Sequence, residues 1–305
     1  MIKGLAITPP VVGRISIGKV VEKNGKRLPE KDDQFTITSL VQNKDGWVLH
    51  PLDKEVRSTS EDKLRAIPIQ LMFNDPDLNL RAEYSLFDRE TGRPICIGDG
   101  QTCKRVGKGG MESLPCPSPS ACEWGSKAGC KPYGRLNVQI AEQKDSFGSF
   151  IFRTTGFNSI RTLQARLSYF NAVSGGILSC MPLTLKLRGK STTQSHRAPV
   201  YFVDITTRDG MTLDEAITEA KALHESRNGI GFDQDALEQA ARQGFENGAF
   251  EDSEDEIPDV LDEFYSEGIG DGPAAAGAGD KSDQIGTASK PSLQVKLDQK
   301  AGINR

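Results

Sequence analysis

Polar and apolar residues alternate with a period of two along much of the first two thirds of the chain. Gln34-Phe35-Thr36-Ile37-Thr38-Ser39-Leu40-Val41 is one such run, and Ile67-Pro68-Ile69-Gln70-Leu71-Met72-Phe73 is another. From Leu78 to Asp88 the pattern continues, with Leu80, Ala82, Tyr84 and Leu86 on one face. Period two with β-branched and aromatic residues predicts half-buried antiparallel strands. Asn74-Asp75-Pro76-Asp77 between two of the runs predicts a turn, and the stretch from 34 to 90 reads as a β-meander. Before it, residues 1–33 read as a loose lead-in with one strand, Ile15 to Val21. Strands return at Leu136–Ile140, Ser149–Arg153, Leu183–Arg188 and Pro199–Ile205, the last two separated by a polar basic break from Gly189 to Arg197.

The period changes in two places. Ile160, Leu163, Leu167 and Phe170 form one apolar stripe at helical spacing, starting at Asn158-Ser159 and ending at Gly175-Gly176. Thr212-Leu213-Asp214-Glu215 is a capping box that opens a helix to about Glu225, followed by a second helical stretch over 232–247. In residues 91–133 periodicity is lost; Gly, Cys, Pro and Lys dominate, and the segment reads as a loop-rich insertion with no hydrophobic core of its own.

Composition sharpens this picture. Apolar residues are 36% of 305, and mean hydropathy is −0.44, low for a chain packed throughout. Residues 250–305 open on the acidic run Glu251 to Glu256 and pass into small-residue repeats from Ala274 to Gly279. This predicts a disordered acidic tail. Within it, Ile257, Val260, Leu261, Phe264 and Tyr265 are spaced to suit a short amphipathic helix that folds on a partner; a solubilising tail with no partner is the alternative. The expected fold class is α+β: an antiparallel β-rich basic body over 1–210, a helical segment over 211–249, and the tail over 250–305. The Cys-rich insertion 91–133 lies within the body. No apolar run reaches membrane-spanning length and no secretory leader is visible, so a cytoplasmic location is expected.

Charge is divided unevenly. Residues 1–210 carry 30 Lys and Arg against 21 Asp and Glu, whereas 211–305 carry 8 against 21. No acidic residue lies between Asp145 and Asp204. A basic body with an acidic tail suits a protein that meets nucleic acid. Lys104, Arg105, Lys108, Lys131 and Arg135 lie around the cysteine-rich insertion, and Lys186, Arg188, Lys190 and Arg197 form a second set. These nine are the candidate contacts to DNA or to a protein partner. An ordinary solvated basic face would look the same in sequence.

The cysteines carry the sharpest chemistry. Five of the six fall within 35 residues, in the pattern Cys96-x6-Cys103-x12-Cys116-x5-Cys122-x7-Cys130; Cys180 stands apart as a small core residue. Clustered thiols in a core-poor segment point to structural Zn²⁺, whose binding supplies on the order of 10 kcal/mol that burial cannot. The expected ligands are Cys96, Cys116, Cys122 and Cys130. Cys96 ends an apolar run before the turn Gly98-Asp99-Gly100, whereas Cys103 sits in a mobile basic loop and is the substitute. Four thiolates make a closed structural site rather than a catalytic one.

Other catalytic patterns are weak. His50, His196 and His224 pair with no nucleophile motif, there is no G-x-S-x-G elbow, and Gly107-Lys108-Gly109-Gly110 lacks the rest of a phosphate loop. Asp99 reads as a turn former.

The ordering of these pieces resembles the recombination directionality factor-like family of phages and integrative elements, some of whose relatives are labelled hydrolase or metal-binding proteins. The likeness rests on Cys96-Ile97-Gly98-Asp99-Gly100, Cys116, Cys122, Gly129-Cys130-Lys131-Pro132 leading into Gly134-Arg135-Leu136, and Gly148 to Gly156. The Pro199-Val200 strand and the Thr212-Leu213 helix start also fit, so the resemblance covers about residues 10–225; Cys103 is extra. It implies a non-enzymatic switch that binds a large serine integrase and biases it from integration towards excision. Two other classes remain open: a zinc-containing accessory protein that binds single- or double-stranded DNA directly, and a metal-dependent hydrolase. The hydrolase would need a zinc position not filled by cysteine.

Overall fold

The computed structural model describes residues 10–23, 26–44, 46–57, 63–107, 109–141, 143, 148–191, 193, 199–247 and 257–265, with only the backbone at 19–23, 26–32, 244–247, 259 and 262–263. In chain order these form strands β1 (Val11–Lys23), β2 (Lys26–Asn43) and β3 (Gly46–Leu49), helix α1 (Pro51–Val56), β4 (Ala66–Gln70), α2 (Pro76–Asn79), β5 (Leu80–Phe87), β6 (Pro94–Gly98), β7 (Thr102–Gly107), β8 (Gly110–Pro115) and α3 (Glu123–Ala128). There follow β9 (Lys131–Ile140), β10 (Ser149–Thr154), α4 (Phe157–Ser174), β11 (Leu183–Ser191), β12 (Pro199–Thr207), α5 (Leu213–Gly229), α6 (Gln234–Asn247) and α7 (Ile257–Tyr265).

The main path of the sheet runs β3-β2-β1-β10-β9-β5-β6-β7-β8, and β12-β11-β4 joins it through β9. Strand β9 is the hinge of this topology. Its first half pairs with β5 (Leu80↔Leu136 to Ser85↔Lys131), its middle with β10, and its last two residues with β4 (Ile69↔Ile140). All ladders are antiparallel except β1 with β10. The expected meander is therefore corrected. β2 and β3 form a hairpin, but β4 pairs with β11 and β9 rather than with its sequence neighbours β3 and β5. The lead-in is corrected too, since β1 and β2 form a long hairpin paired from Gly13↔Ser39 to Lys23↔Lys26.

The period-two residues fill one core. Phe35, Ile37, Ile67, Ile69, Leu136, Val138, Phe150 and Phe152 are buried in it from the strands. From α4 come Leu163, Leu167 and Phe170, as the helical stripe predicts. The Ser159 hydroxyl accepts from the Val203 amide (3.1 Å), which fixes the start of α4 to β12. Gly175, at φ +75°, ends α4 in the left-handed conformation that glycine adopts without cost. α5 opens on the predicted box: Thr212 Oγ1 accepts from the Glu215 amide, and the Glu215 carboxylate accepts from the Thr212 amide (2.8 Å). It puts Ala216 and Ala220 into the same core.

All described residues belong to one unit, 1–274; the remainder, 275–305, lies outside the described residues, as does most of the predicted tail. The tail's apolar patch is the exception, because it forms α7. No described helix is long and apolar enough to cross a membrane.

Candidate metal centre

The cysteine-rich segment is ordered by hydrogen bonds rather than by loops. Three of its strands, β6, β7 and β8, extend the sheet beyond β5. Asp99 turns β6 into β7: its Oδ1 accepts from the amides of Gln101 and Thr102, both at 2.7 Å, and Gly100 sits at φ +95°. These bonds hold its carboxyl below the usual carboxylate range, the Thr102 amide contributing most. Gly107 pairs with Gly110 to close the β7–β8 hairpin. The expectation of a loop-rich insertion is corrected accordingly. Exposed alternate residues and short strands had hidden the pattern, since an edge hairpin buries little on either face.

Each cysteine is then placed by an element. Cys96 lies on β6 and is buried. Cys116 follows β8, where its amide donates to the Gln101 carbonyl (2.8 Å). Cys122 is the N-cap of α3, its Sγ accepting from the Gly125 amide at 3.2 Å. At the other end of that helix, Gly129 (φ +89°) reverses the chain, and the Cys130 amide donates to the Gly125 carbonyl (2.8 Å). One short helix thus carries a thiol at each end.

Cys96, Cys116, Cys122 and Cys130 all line one small cavity, walled also by Tyr84, Gly98, Arg105, Pro117, Ser118, Pro119, Trp124 and Gly125. These are the four cysteines favoured from sequence. No histidine or carboxylate lines it. Cys103 does not line it. It is buried at 3% exposure on β7, in a satellite cluster with Leu86 and Cys96, so the expectation of a mobile loop there is corrected. Gly98 makes room for both: a Cβ there would come within 2.7 Å of Cys103 Cβ and 2.8 Å of Cys116 Sγ.

The thiols differ in their electrostatic surroundings. Burial pushes the Cys130 thiol up to about 12, and the neighbouring Cys96, Cys116 and Cys122 add to the effect. Cys103 is pushed up to about 11, again by burial first and then by Cys96. Cys122 goes the other way, its thiolate favoured chiefly by the Gly125 amide. Arg105 is the cation of the site. Its Nη2 lies 3.8 Å from Cys122 Sγ, its guanidinium stacks 4.4 Å from the Trp124 ring, and its proton is held more firmly than usual, first by Cys96. A donor set of four soft sulfurs gathered on one cavity is the chemistry that a divalent zinc ion satisfies. Among the described residues, no three His, Cys, Asp or Glu side chains yet stand close enough to hold an ion. The thiols share one cavity without converging on one point.

The nine candidate contact residues are distributed differently. Lys104 is exposed on β7. Arg105 is turned into the thiol cavity, and Arg135 is buried on β9. The Lys131 ammonium lies 4.6 Å from the Phe264 ring, and burial lowers its proton affinity. On β11, Arg188 pairs with Asp204 (2.6 Å), Lys186 pairs with Asp209, and Lys190 lies 5.6 Å from the Phe202 ring. Lys108 and Arg197 lie outside the described residues. Tyr84 was missed from sequence as a wall of the cavity; its place in a period-two run marked it only as strand.

Against known proteins, one family model matches. Described as Gp3-like, recombination directionality factor-like, it covers residues 12–208, from β1 to the end of β12 and through the whole cysteine lobe. No curated protein and no solved structure matches the chain.

Proposed function

Because the chain belongs to the recombination directionality factor-like family, we propose that it binds a serine integrase and shifts it from attP × attB integration to attL × attR excision. The observation that carries this reading is the family match over 12–208, which takes in the sheet and the cysteine lobe together. A switch of this kind performs no bond chemistry. It binds one synaptic arrangement of the integrase more tightly than the other, and the difference in affinity moves the equilibrium.

In this reading Zn²⁺ held by Cys96, Cys116, Cys122 and Cys130 makes the lobe a rigid arm of the sheet. The lobe's own apolar cluster is small, with Leu86, Ile95 and Leu114 as its aliphatic members, so cross-linking β6, the β8 exit and both ends of α3 supplies what packing does not. The arm carries an exposed surface of Lys104, Val106, Met111 and Trp124, mixed in the way that protein interfaces are. Of the nine basic residues counted from sequence as contacts to DNA or to a partner, Arg105 is engaged with Cys122 and Trp124, Arg188 with Asp204 and Lys186 with Asp209. The preference for a protein partner over direct DNA binding rests on the family match. A cavity lined by four cysteines and no histidine or carboxylate favours a structural ion over a hydrolase centre.

Immobilised integrase should retain the protein in high salt, with or without DNA, and its addition to integrase should produce attL × attR recombinants while reducing attP × attB products. Binding to oligonucleotides alone, lost steeply as salt rises, with no change in either recombination reaction, would refute the proposal.

A further inference from the structure

The amphipathic stretch of the acidic tail is a helix folded on the body. α7 is nine residues long, too short to be stable in isolation. Its apolar residues recur at the spacing of one helical face: Ile257, Val260, Leu261, Phe264 and Tyr265. They fill a groove in which Phe87 at the end of β5 and Tyr133 on β9 form the floor. The Phe264 ring meets Phe87 edge-on at 4.9 Å and Tyr133 at 5.8 Å, and both Val260 and Phe264 are fully buried. Tyr265 donates its hydroxyl to the Phe87 carbonyl. At the N-terminal end, Ile257 occupies the space left by Gly92. A Cβ on Gly92, itself at φ +64°, would lie 2.0 Å from Ile257 Cγ2.

The groove's rim is cationic and its occupant is acidic. Lys131 Nζ lies 4.6 Å from the Phe264 ring, and the Arg89 guanidinium lies 4.3 Å from the Tyr265 ring. α7 carries Asp259, Asp262 and Glu263 and follows the run Glu251 to Glu256. Its cluster is separate from the main core, so it can open without the body unfolding. Residues 248–256 link it to α6, which keeps the occupant close at hand. Shape, aromatic floor and cationic rim together define what the groove accepts.

We propose that the groove walled by Phe87, Gly92, Lys131 and Tyr133 is a docking site for an acidic amphipathic helix of a partner protein, and that α7 is its displaceable resident. The partner helix would present apolar residues at the spacing of Ile257, Val260, Leu261, Phe264 and Tyr265 and acidic residues elsewhere. The tethered copy competes at a high effective concentration, so free protein hides the groove until a better or more concentrated helix displaces it.

The test uses the full chain and a fluorescein-labelled peptide of residues 255–267. Phe264→Glu, which removes the central anchor of the resident helix, should raise peptide affinity at least about tenfold over wild type. Adding Gly92→Val to Phe264→Glu should abolish that gain by closing the Ile257 slot. Hydrogen exchange on wild type supplies an arm independent of any variant: α7 amides should exchange well before those of β5 and β9. The proposal fails if Phe264→Glu does not bind the peptide better than wild type, or if Gly92→Val leaves the gain intact. It fails equally if α7 exchanges only with global unfolding. A wild-type dimer that Phe264→Glu dissociates would also overturn it, because the groove would then hold the helix of a second copy.

Discussion

At the residue scale, Asp204 shows how the body keeps its basic residues in place. Its carboxylate is 2% exposed and accepts from Arg166 Nε (2.9 Å) and Arg188 Nε (2.6 Å). Burial alone would raise this carboxyl, but the hydrogen bonds and charges of the two arginines outweigh it and hold it below the ordinary value of 3.8. A depressed carboxyl stabilises the fold above the unfolded-state pKa of about 4, and that contribution is lost as pH falls through the lower folded value. In Arg166→Ala/Arg188→Ala only the Ile205 amide, 2.9 Å from Oδ1, still opposes burial, and the carboxyl should titrate above its ordinary value. Urea midpoints should then show the double variant about 2–3 kcal/mol less stable at pH 7, below the ~3–5 kcal/mol of a fully buried pair because both guanidiniums are half exposed. Its stability should rise, not fall, as pH drops from 7 towards 4. An unchanged midpoint, with the wild-type pH profile, would show that the pair contributes nothing.

The basic set read from sequence included Arg188, but sequence did not show that Asp204, the first acidic residue after Asp145, sits between Arg188 and Arg166. Cys103 gives the same lesson. Its neighbours Lys104 and Arg105 made it look like part of a basic loop, whereas strand alternation turns Cys103 inward and Lys104 outward.

At the scale of elements, legibility followed how local the cause was. The α4 stripe, its Gly175 stop and the Thr212–Glu215 box depend on residues within a few positions of one another, and each is observed where the pattern placed it. Thr212→Ala should therefore cost about 1 kcal/mol in a thermal or urea melt; a loss below a few tenths would mean that packing of Ala216 and Ala220 alone holds α5. The cysteine lobe was only half legible. The clustering of thiols marked the lobe, and the strand end at Cys96 favoured the four residues that share a cavity, but the three short strands that frame them were hidden by their exposure. Gly98 is where strand and site meet. Gly98→Ala forces a methyl against Cys103 and Cys116, and should lower the lobe's stability by about 1–3 kcal/mol, seen as earlier proteolysis within 96–130. Unaltered resistance would mean that the lobe relaxes around the methyl.

At the scale of the molecule, the strand pattern specified a β-rich body with packed helices but not its connections. Period-two alternation says which face of a strand is buried and nothing about its neighbour. The join of β4 to β11 and β9, and the parallel pairing of β1 with β10, are long-range choices made by the core as a whole. The same holds for α7, whose apolar spacing was plain in sequence while its groove, built from β5, β9 and the Gly92 turn, was not. The acidic end of the chain accordingly does more than solubilise: one stretch of it covers an aromatic face of a basic body.

The four thiols, as ligands of an ion, would make the lobe a rigid arm. Elemental analysis of the purified protein, with Cys→Ser variants at 96, 103, 116, 122 and 130, tests this directly. About one zinc per chain is expected in the wild type and in Cys103→Ser, with loss of the metal in the other four variants. A wild-type protein without zinc, or one that loses it on Cys103→Ser and keeps it on Cys122→Ser, would contradict the assignment.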